Sequence, residues 1–191
     1  MQNKKIQGLI EKLDTQSDKK AEAIIKRLSK IGLTTVPFLM KAAKDLENPR
    51  IQKWSLQTLG EIGNKKAAPL LLQALSDNRM TVRLHAIKGL SRMKLKRAAK
   101  PIARLLNDDS GGIRVNALYA LMSLDDSSVL GKVRRSLSDP QWYVRQNACL
   151  ACGHYRDKKA LKKLAQLAKS DTKKAVRKAA EQALQKLDRT R

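Results

Sequence analysis

The sequence predicts an all-α fold, an α-solenoid (superhelix) of about six two-helix repeats. Three observations carry this prediction. Residues 81–87, 112–118 and 143–149 align without gaps at a spacing of 31 residues, and a fixed period of that size marks a stacked array. Within each segment apolar residues recur at steps of three and four, which is helical periodicity and not strand alternation. Apolar residues make up 42% of the 191-residue chain but aromatics only 3%, a mix that disfavours sandwiches and barrels, which draw on rings and β-branched residues.

Arg83, Arg114 and Arg145 give the repeat its frame. One residue more than the period reaches Arg177; stepping back reaches Gln52 and Ala21. The expected units, within one domain covering 1–191, are 1–33, 34–64, 65–95, 96–126, 127–157 and 158–191. In each unit a first helix, A, precedes a second, B. Helix A opens with Pro37, Pro69 or Pro101 in three repeats, where the missing N–H has no intrahelical partner to lose. Helix B carries apolar rows at fixed offsets from the Arg position. One residue before it stand Ile51, Val82, Ile113, Val144 and Val176; three after it, Ser55, Ala86, Ala117, Ala148 and Ala180. Seven after it stand Leu28, Leu59, Leu90, Leu121, Cys152 and Leu184; ten after it, Ile31, Ile62, Met93, Leu124, Tyr155 and Leu187. Gly32 and Gly63 follow two B helices, in the position that favours glycine at a helix C-terminus.

The terminal repeats depart from two of these rows. Four after the Arg position the inner repeats carry Leu56, Ile87, Leu118 and Cys149, and the last carries Glu181. Six after it the row is small (Thr58, Gly89, Ala120, Ala151, Ala183), and the first repeat has Arg27. One row is expected to face the next repeat and the other the previous one, so the outer row of each end turns polar, as the capping repeats of a soluble stack do. The chain is therefore expected to be a whole solenoid.

Asp77, Asp108, Asp139 and Asp171 each precede the repeat Arg by six residues. A Pro-led helix A, this Asp, then Val-Arg or Ile-Arg and the small and aliphatic rows together resemble the HEAT repeat, in particular the bacterial variety first named for phycobilin lyases. The resemblance covers nearly the whole chain and is strongest over 65–187. It implies that the Asp and Arg residues form a buried ladder between repeats, the Arg fork satisfying a carboxylate and loop carbonyls, and that the B helices line a concave face. It does not imply one function, because HEAT arrays include protein scaffolds, nucleic-acid binders, DNA glycosylases, bilin lyases and metal-dependent hydroxylases.

Candidate chemistry is sparse. Cys149 and Cys152 form a CxxC, but they occupy the core rows of Leu118 and Leu121, and a buried thiol behaves as a small hydrophobe. His85 and His154 are the two histidines, and neither precedes Glu, so the His-Glu pairs of the hydroxylases are missing. A zinc site needs four ligands. Trp54 lacks the companion Asp of a glycosylase cleft; four residues on stands Thr58. The expectation is a non-enzyme with no metal, no cofactor and no small-molecule substrate. Two cysteines cannot build a disulfide framework, the chain start has no apolar leader, and no apolar run is long enough to span a membrane. A cytoplasmic location without membrane insertion is expected.

Charge is the strongest pointer to a partner. Lys and Arg number 41 against 17 acidic residues, a net charge of +24, where solubility alone needs about 2–8 for a small domain. Basic pairs Lys65-Lys66, Lys96-Arg97 and Lys158-Lys159 fall at inter-repeat turns on the repeat period, interrupted by Ser127-Ser128 beside Asp125-Asp126. Arg50 and Arg79 count as charges of the intra-repeat turns, and Arg134 lies near the basic edge. Six stacked repeats would span roughly 50–60 Å, about 15 base pairs of duplex. The first expectation is thus non-catalytic nucleic-acid binding. Lys65, Lys66, Lys96, Arg97, Lys158 and Lys159 would contact phosphates, with Lys88 and Arg92 on the concave face beside Trp54, His85 and Tyr119. The alternative is a scaffold that docks an acidic protein or a large assembly through that concave face, with Trp54, Tyr119 and Leu150 as anchors.

Overall fold

The computed structural model describes residues 1–45 and 47–188, and all the regular structure in them is helical. The chain divides at Leu95/Lys96 into two compact units. In the first unit three A–B pairs follow one another: α1 (Gln2–Glu11) with α2 (Asp18–Ile31), α3 (Val36–Ala42) with α4 (Pro49–Ile62), and α5 (Ala68–Ala74) with α6 (Met80–Arg92). In the second the pairs are α7 (Ala99–Arg104) with α8 (Gly111–Leu124), α9 (Leu130–Arg135) with α10 (Trp142–His154), and α11 (Leu161–Ser170) with α12 (Lys174–Asp188). The A helices from α3 to α9 are short, and each is led in by a 3₁₀ turn, at Gly32–Thr35, Lys65–Ala67, Lys96–Ala98 and Ser127–Val129. A further 3₁₀ turn, Lys158–Ala160, leads into α11. Pro37 and Pro69 stand in the first turn of α3 and α5.

The apolar rows of helix B build the core. Leu28, Leu59, Leu90, Leu121 and Cys152 are out of solvent, as are Ser55, Ala86, Ala117, Ala148 and Ala180. The small row has a direct cause. A Cβ placed on Gly60 of α4 would lie 2.6 Å from the Gly89 Cα of α6, and one on Gly153 of α10 would lie 2.9 Å from the Ala183 Cα of α12. α4 and α6, and likewise α10 and α12, therefore cross with their backbones in contact, and there a residue six after the repeat position meets one eight after it in the preceding repeat. Arg27 and Glu181, which break the two rows at the chain ends, are exposed.

The Arg and Asp positions form a ladder with a definite direction. Arg114 donates Nε and Nη2 to both carboxylate oxygens of Asp139 at 2.7 and 2.9 Å. Arg145 does the same to Asp171 at 2.7 and 3.0 Å. The carboxylate thus comes from the next repeat, while the carbonyl of the repeat's own Asp accepts from Nη1: Asp77 from Arg83, Asp108 from Arg114, Asp139 from Arg145 and Asp171 from Arg177. Each Asp Oδ1 also accepts the N–H two residues on, at Arg79, Ser110, Gln141 and Lys173, which fixes the A–B turn. Where Gln52 replaces the repeat Arg, Arg79 takes over: its guanidinium holds both oxygens of Asp77 at 2.9 and 2.8 Å and reaches the Gln52 side-chain oxygen. Arg79, counted among the turn charges, is thus committed to the fold. Arg50 of the preceding turn pairs with Asp14 at 2.6 Å. Arg134 likewise turns inward to the buried Asp157 at 2.6 Å.

The end of each B helix up to α10 is also periodic. Positive φ recurs every 31 residues, at Gly32, Gly63, Lys94, Asp125 and Arg156. Glycine fills the first two places, as the sequence predicts, and residues with a Cβ take φ 50° at the other three. The left-handed conformation costs a non-glycine residue about 1–2 kcal/mol, against about 0.4–1 kcal/mol of extra chain entropy for glycine in the unfolded state. Arg156→Gly is expected to raise the unfolding free energy by about 0.5 kcal/mol, a change measurable as a higher denaturant midpoint.

Asp171→Ala is expected to cost about 3 kcal/mol, because it leaves the Arg145 guanidinium buried without its carboxylate. The hydrogen bond from Arg145 holds the Asp171 carboxyl below its ordinary value. A carboxyl depressed in the folded state contributes stability that is present above the unfolded value of about 3.9 and is lost as pH falls through the folded one. Acid titration of unfolding should therefore be less steep below about pH 4 in Asp171→Ala than in the parent.

Candidate functional site

The expected contact residues separate into an edge and a face. Lys65 and Lys66 begin the 3₁₀ turn Lys65–Ala67 of the first unit; Lys96, Arg97, Lys158 and Lys159 begin the corresponding turns of the second, and all six are exposed. Three of the turns are pinned by a side chain that the charge pattern did not reveal. Asn64, Asp126 and Asp157 accept the backbone N–H of Lys66, Ser128 and Lys159 at 2.8, 2.9 and 3.1 Å. Their spacing, one position before each turn on the repeat period, is the sequence signal for them. In the second unit these caps also place carboxylates along the edge. Asp126 is held below its ordinary pKa by hydrogen bonds from Ser128, with Lys100 and Lys96 adding to the effect.

The face is built by the B helices of the first unit. Trp54 of α4 and His85 of α6 occupy the same offset in consecutive repeats, and their ring centroids lie 6.0 Å apart. That row, expected on the concave face, is largely covered: Trp54 is only 5% exposed, His85 is half-buried, and in the second unit Asn147 and Ala179 of the same row are buried. The close crossing of B helices narrows the gap between them, and the Lys53 side chain closes it, with Nζ 3.7 Å from the centroid of a Trp54 ring. Lys53 Nζ also lies 4.0 Å from Asp18 of α2. Trp54 Nε1 and His85 Nδ1 are buried without a hydrogen-bond partner.

Beside them Gln57, Glu61, His85, Lys88, Gly89 and Arg92 line a cavity of about 70 Å³. Lys88 and Arg92 are exposed, and Arg92 Nη1 lies 3.4 Å from Glu61. Burial pushes His85 down to about 4, and Lys53, Lys88 and Arg92 push in the same direction, with Asp18 opposing them. The imidazole is neutral near pH 7, in a site whose neighbours favour an anion.

The B-helix face of the second unit is different. Tyr119 is 53% exposed, Leu150 is half-buried, and the side-chain amides of Asn116 and Asn147 turn back to their own helices, donating to the carbonyls of Gly112 and Tyr143. His154 lies 3.4 Å from Asp125. Cys149 and Cys152 are free and buried, and burial pushes both thiols up to about 12, so thiolate chemistry at neutral pH is suppressed. Among the described residues no group of three or more His, Cys, Asp or Glu side chains could hold a metal ion. Among the same residues no helix is long and apolar enough to cross a membrane.

The family model for HEAT repeats matches this chain at residues 6–91, 46–121, 69–139 and 98–185. The chain is a HEAT-repeat protein. No curated relative matches its sequence. Solved structures share the HEAT-type fold at low identity. The complex of CpcE and CpcF of phycocyanin lyase from Nostoc sp. PCC7120 is 21% identical over 90% of this chain and 73% of that one, with a TM-score of 0.62. A designed armadillo repeat protein in complex with the peptide (KR)4 is 17% identical over 94% and 98%, with a TM-score of 0.63. An engineered protein of the Northeast Structural Genomics Consortium is 16% identical over 97% of both chains, with a TM-score of 0.60.

His85 supplies a pH test of this site. Its unfolded value is about 6.5 and its folded value about 4, so on acidification the unfolded state takes up the proton first. Stability is complete above about pH 6.5 and declines as pH falls towards the folded value. His85→Gln should flatten the decline of thermal midpoint over that interval; an unchanged profile would show that the imidazole is not shielded.

Proposed function

We propose that this HEAT-repeat protein is a non-catalytic interaction scaffold that docks an acidic protein segment on the B-helix face of its first unit. One observation carries the reading: Lys53, Lys88 and Arg92, from two consecutive repeats, surround His85 and an indole, with Glu61 and Asp18 as counter-charges. Three cations gathered round one neutral ring pair favour a carboxylate brought from outside. Long lysine and arginine stems bordering a ring also match the anchors of a protein interface, where charge sets partner choice and association rate.

Nucleic-acid binding is the second reading. It is favoured by the exposure of Lys65, Lys66, Lys96, Arg97, Lys158 and Lys159 and by the net charge of +24. It is weakened by Asp126, which sits among the basic residues of the second unit's edge.

Two charge reversals separate the readings. Poly-L-glutamate and duplex DNA would each be titrated calorimetrically across a salt series against the parent, Lys88→Glu/Arg92→Glu and Lys96→Glu/Arg97→Glu. The acidic-partner reading expects poly-L-glutamate binding to weaken about tenfold or more, roughly 1.4 kcal/mol, in the Lys88/Arg92 variant and to persist in the Lys96/Arg97 variant. Tight duplex binding that survives physiological salt, with log K falling by about 0.9 per phosphate contact, and that is lost in the Lys96/Arg97 variant would overturn it in favour of nucleic acid.

A further inference from the structure

The first unit holds an indole that is placed as an anchor yet closed off by a neighbouring residue of its own helix. Trp54 is at the centre of the B-helix face, flanked by His85. Lys53 lies across its ring at 3.7 Å, and the Lys53 side chain is itself three-quarters buried, while its ionic partner Asp18 is 78% exposed and 4.0 Å away. A cation over an indole is attracted by the ring's quadrupole, and the aliphatic stem gains from covering apolar surface. Both gains are modest against a direct charge-assisted hydrogen bond to a carboxylate.

Beneath this cover a polar group is left unmet. Trp54 Nε1 is a donor only, and it is buried with no acceptor; His85 Nδ1 is buried with no partner either. A buried donor without an acceptor is costly in the free protein, so an arrangement that supplies an acceptor is favoured over the closed one. Lys88 and Arg92 border the adjoining cavity of about 70 Å³, a space on the scale of a single side-chain carboxylate.

We propose that Lys53 is a displaceable cover over Trp54, and that an acidic peptide segment opens it. A Glu or Asp carboxylate of the segment pairs with the Lys53 ammonium and draws it off the ring, while the segment, held by Lys88 and Arg92, presents an acceptor to the Trp54 N–H. The inference rests on the acidic-partner reading above and adds to it that Trp54 becomes accessible only on binding. The occupant is a peptide because the site asks for an extended backbone with carboxylates at side-chain reach, and a neutral acceptor beside them, which peptide carbonyls provide.

Trp54 and Trp142 are the two indoles of the chain. In a Trp142→Phe background Trp54 is therefore the sole reporter, read by its emission and by quenching with acrylamide. Poly-L-glutamate is the probe, with a glycine–serine peptide and duplex DNA as the other arms, and calorimetry records binding independently of the indole. The proposal expects poly-L-glutamate to raise acrylamide access to Trp54 in the parent. Lys53→Ala should leave Trp54 accessible from the start, with little further change on adding peptide. Lys53→Met, which keeps the stem but removes the charge, should bind poly-L-glutamate roughly fivefold more weakly and keep Trp54 shielded. Calorimetric binding with Trp54 access unchanged would overturn the cover while leaving the acidic-partner reading intact. Absence of calorimetric binding would overturn both. A Trp54 response to duplex DNA equal to that for poly-L-glutamate would overturn the peptide as occupant.

Discussion

Arg145 joins two repeats with one guanidinium. Two of its nitrogens hold the Asp171 carboxylate of the next repeat, and the third holds the Asp139 carbonyl of its own turn. Much else follows from this geometry. The turn between A and B is fixed because the same Asp caps it; the next repeat is fixed because that Asp also receives the preceding Arg. With A–B pairs held at one spacing, the backbones of α4 and α6, and of α10 and α12, come into contact, with glycine or alanine at the crossing. A helix pair of this size cannot bury both of its apolar rows alone, so the ladder and the small row together decide whether the array exists.

The ladder also explains why the surface is more basic than the composition suggests. Asp77, Asp139, Asp157 and Asp171 are spent on arginine side chains or on turn N–H groups, and Asp157 and Asp171 are buried. Carboxylates are drawn inward to satisfy arginine, and lysines remain outside. Residues 156–178 hold ten basic side chains and two acidic ones, and those two are Asp157 and Asp171. The charge left for a partner is therefore mostly lysine, a mobile, strongly hydrated point charge, while the fork-shaped donors suited to rigid bidentate contacts are largely committed to the fold. Such a surface favours contacts that are diffuse and salt-sensitive, with selectivity left to the few places where a ring or a buried polar group stands beside the lysines.

The repeat, the two-helix unit, the core rows and the Asp–Arg positions were legible in the sequence because each is a periodic demand, repeated until chance is excluded. What escaped was aperiodic or depended on the reach of long side chains. Arg79 stands outside the Arg row, yet it replaces the contact that Gln52 cannot make. Arg134 resembles any surface arginine until Asp157 is found within reach. Lys94, Asp125 and Arg156 adopt the left-handed conformation without a glycine to announce it, although Gly32 and Gly63 mark the same position two and one periods earlier. At the candidate site the residue types and their common face were readable, but not the burial of Trp54, since periodicity gives the direction of a side chain and not whether a neighbouring lysine folds back over it.

The two units show how one scaffold separates structure from recognition. On the B helices the rows one before, three after and seven after the repeat Arg hold aliphatic or small residues nearly throughout, because each faces the core. The outer positions change freely. In α4 and α6 they are Trp54, Gln57, Glu61, His85, Lys88 and Arg92, with an indole and an imidazole among the charges. In α8 and α10 the same offsets hold Asn116, Tyr119, Ser123, Asn147, Leu150 and His154, without a lysine or arginine and with one exposed ring. The proposed acidic-partner site falls on the first unit, where charge, an indole and unmet buried nitrogen atoms coincide.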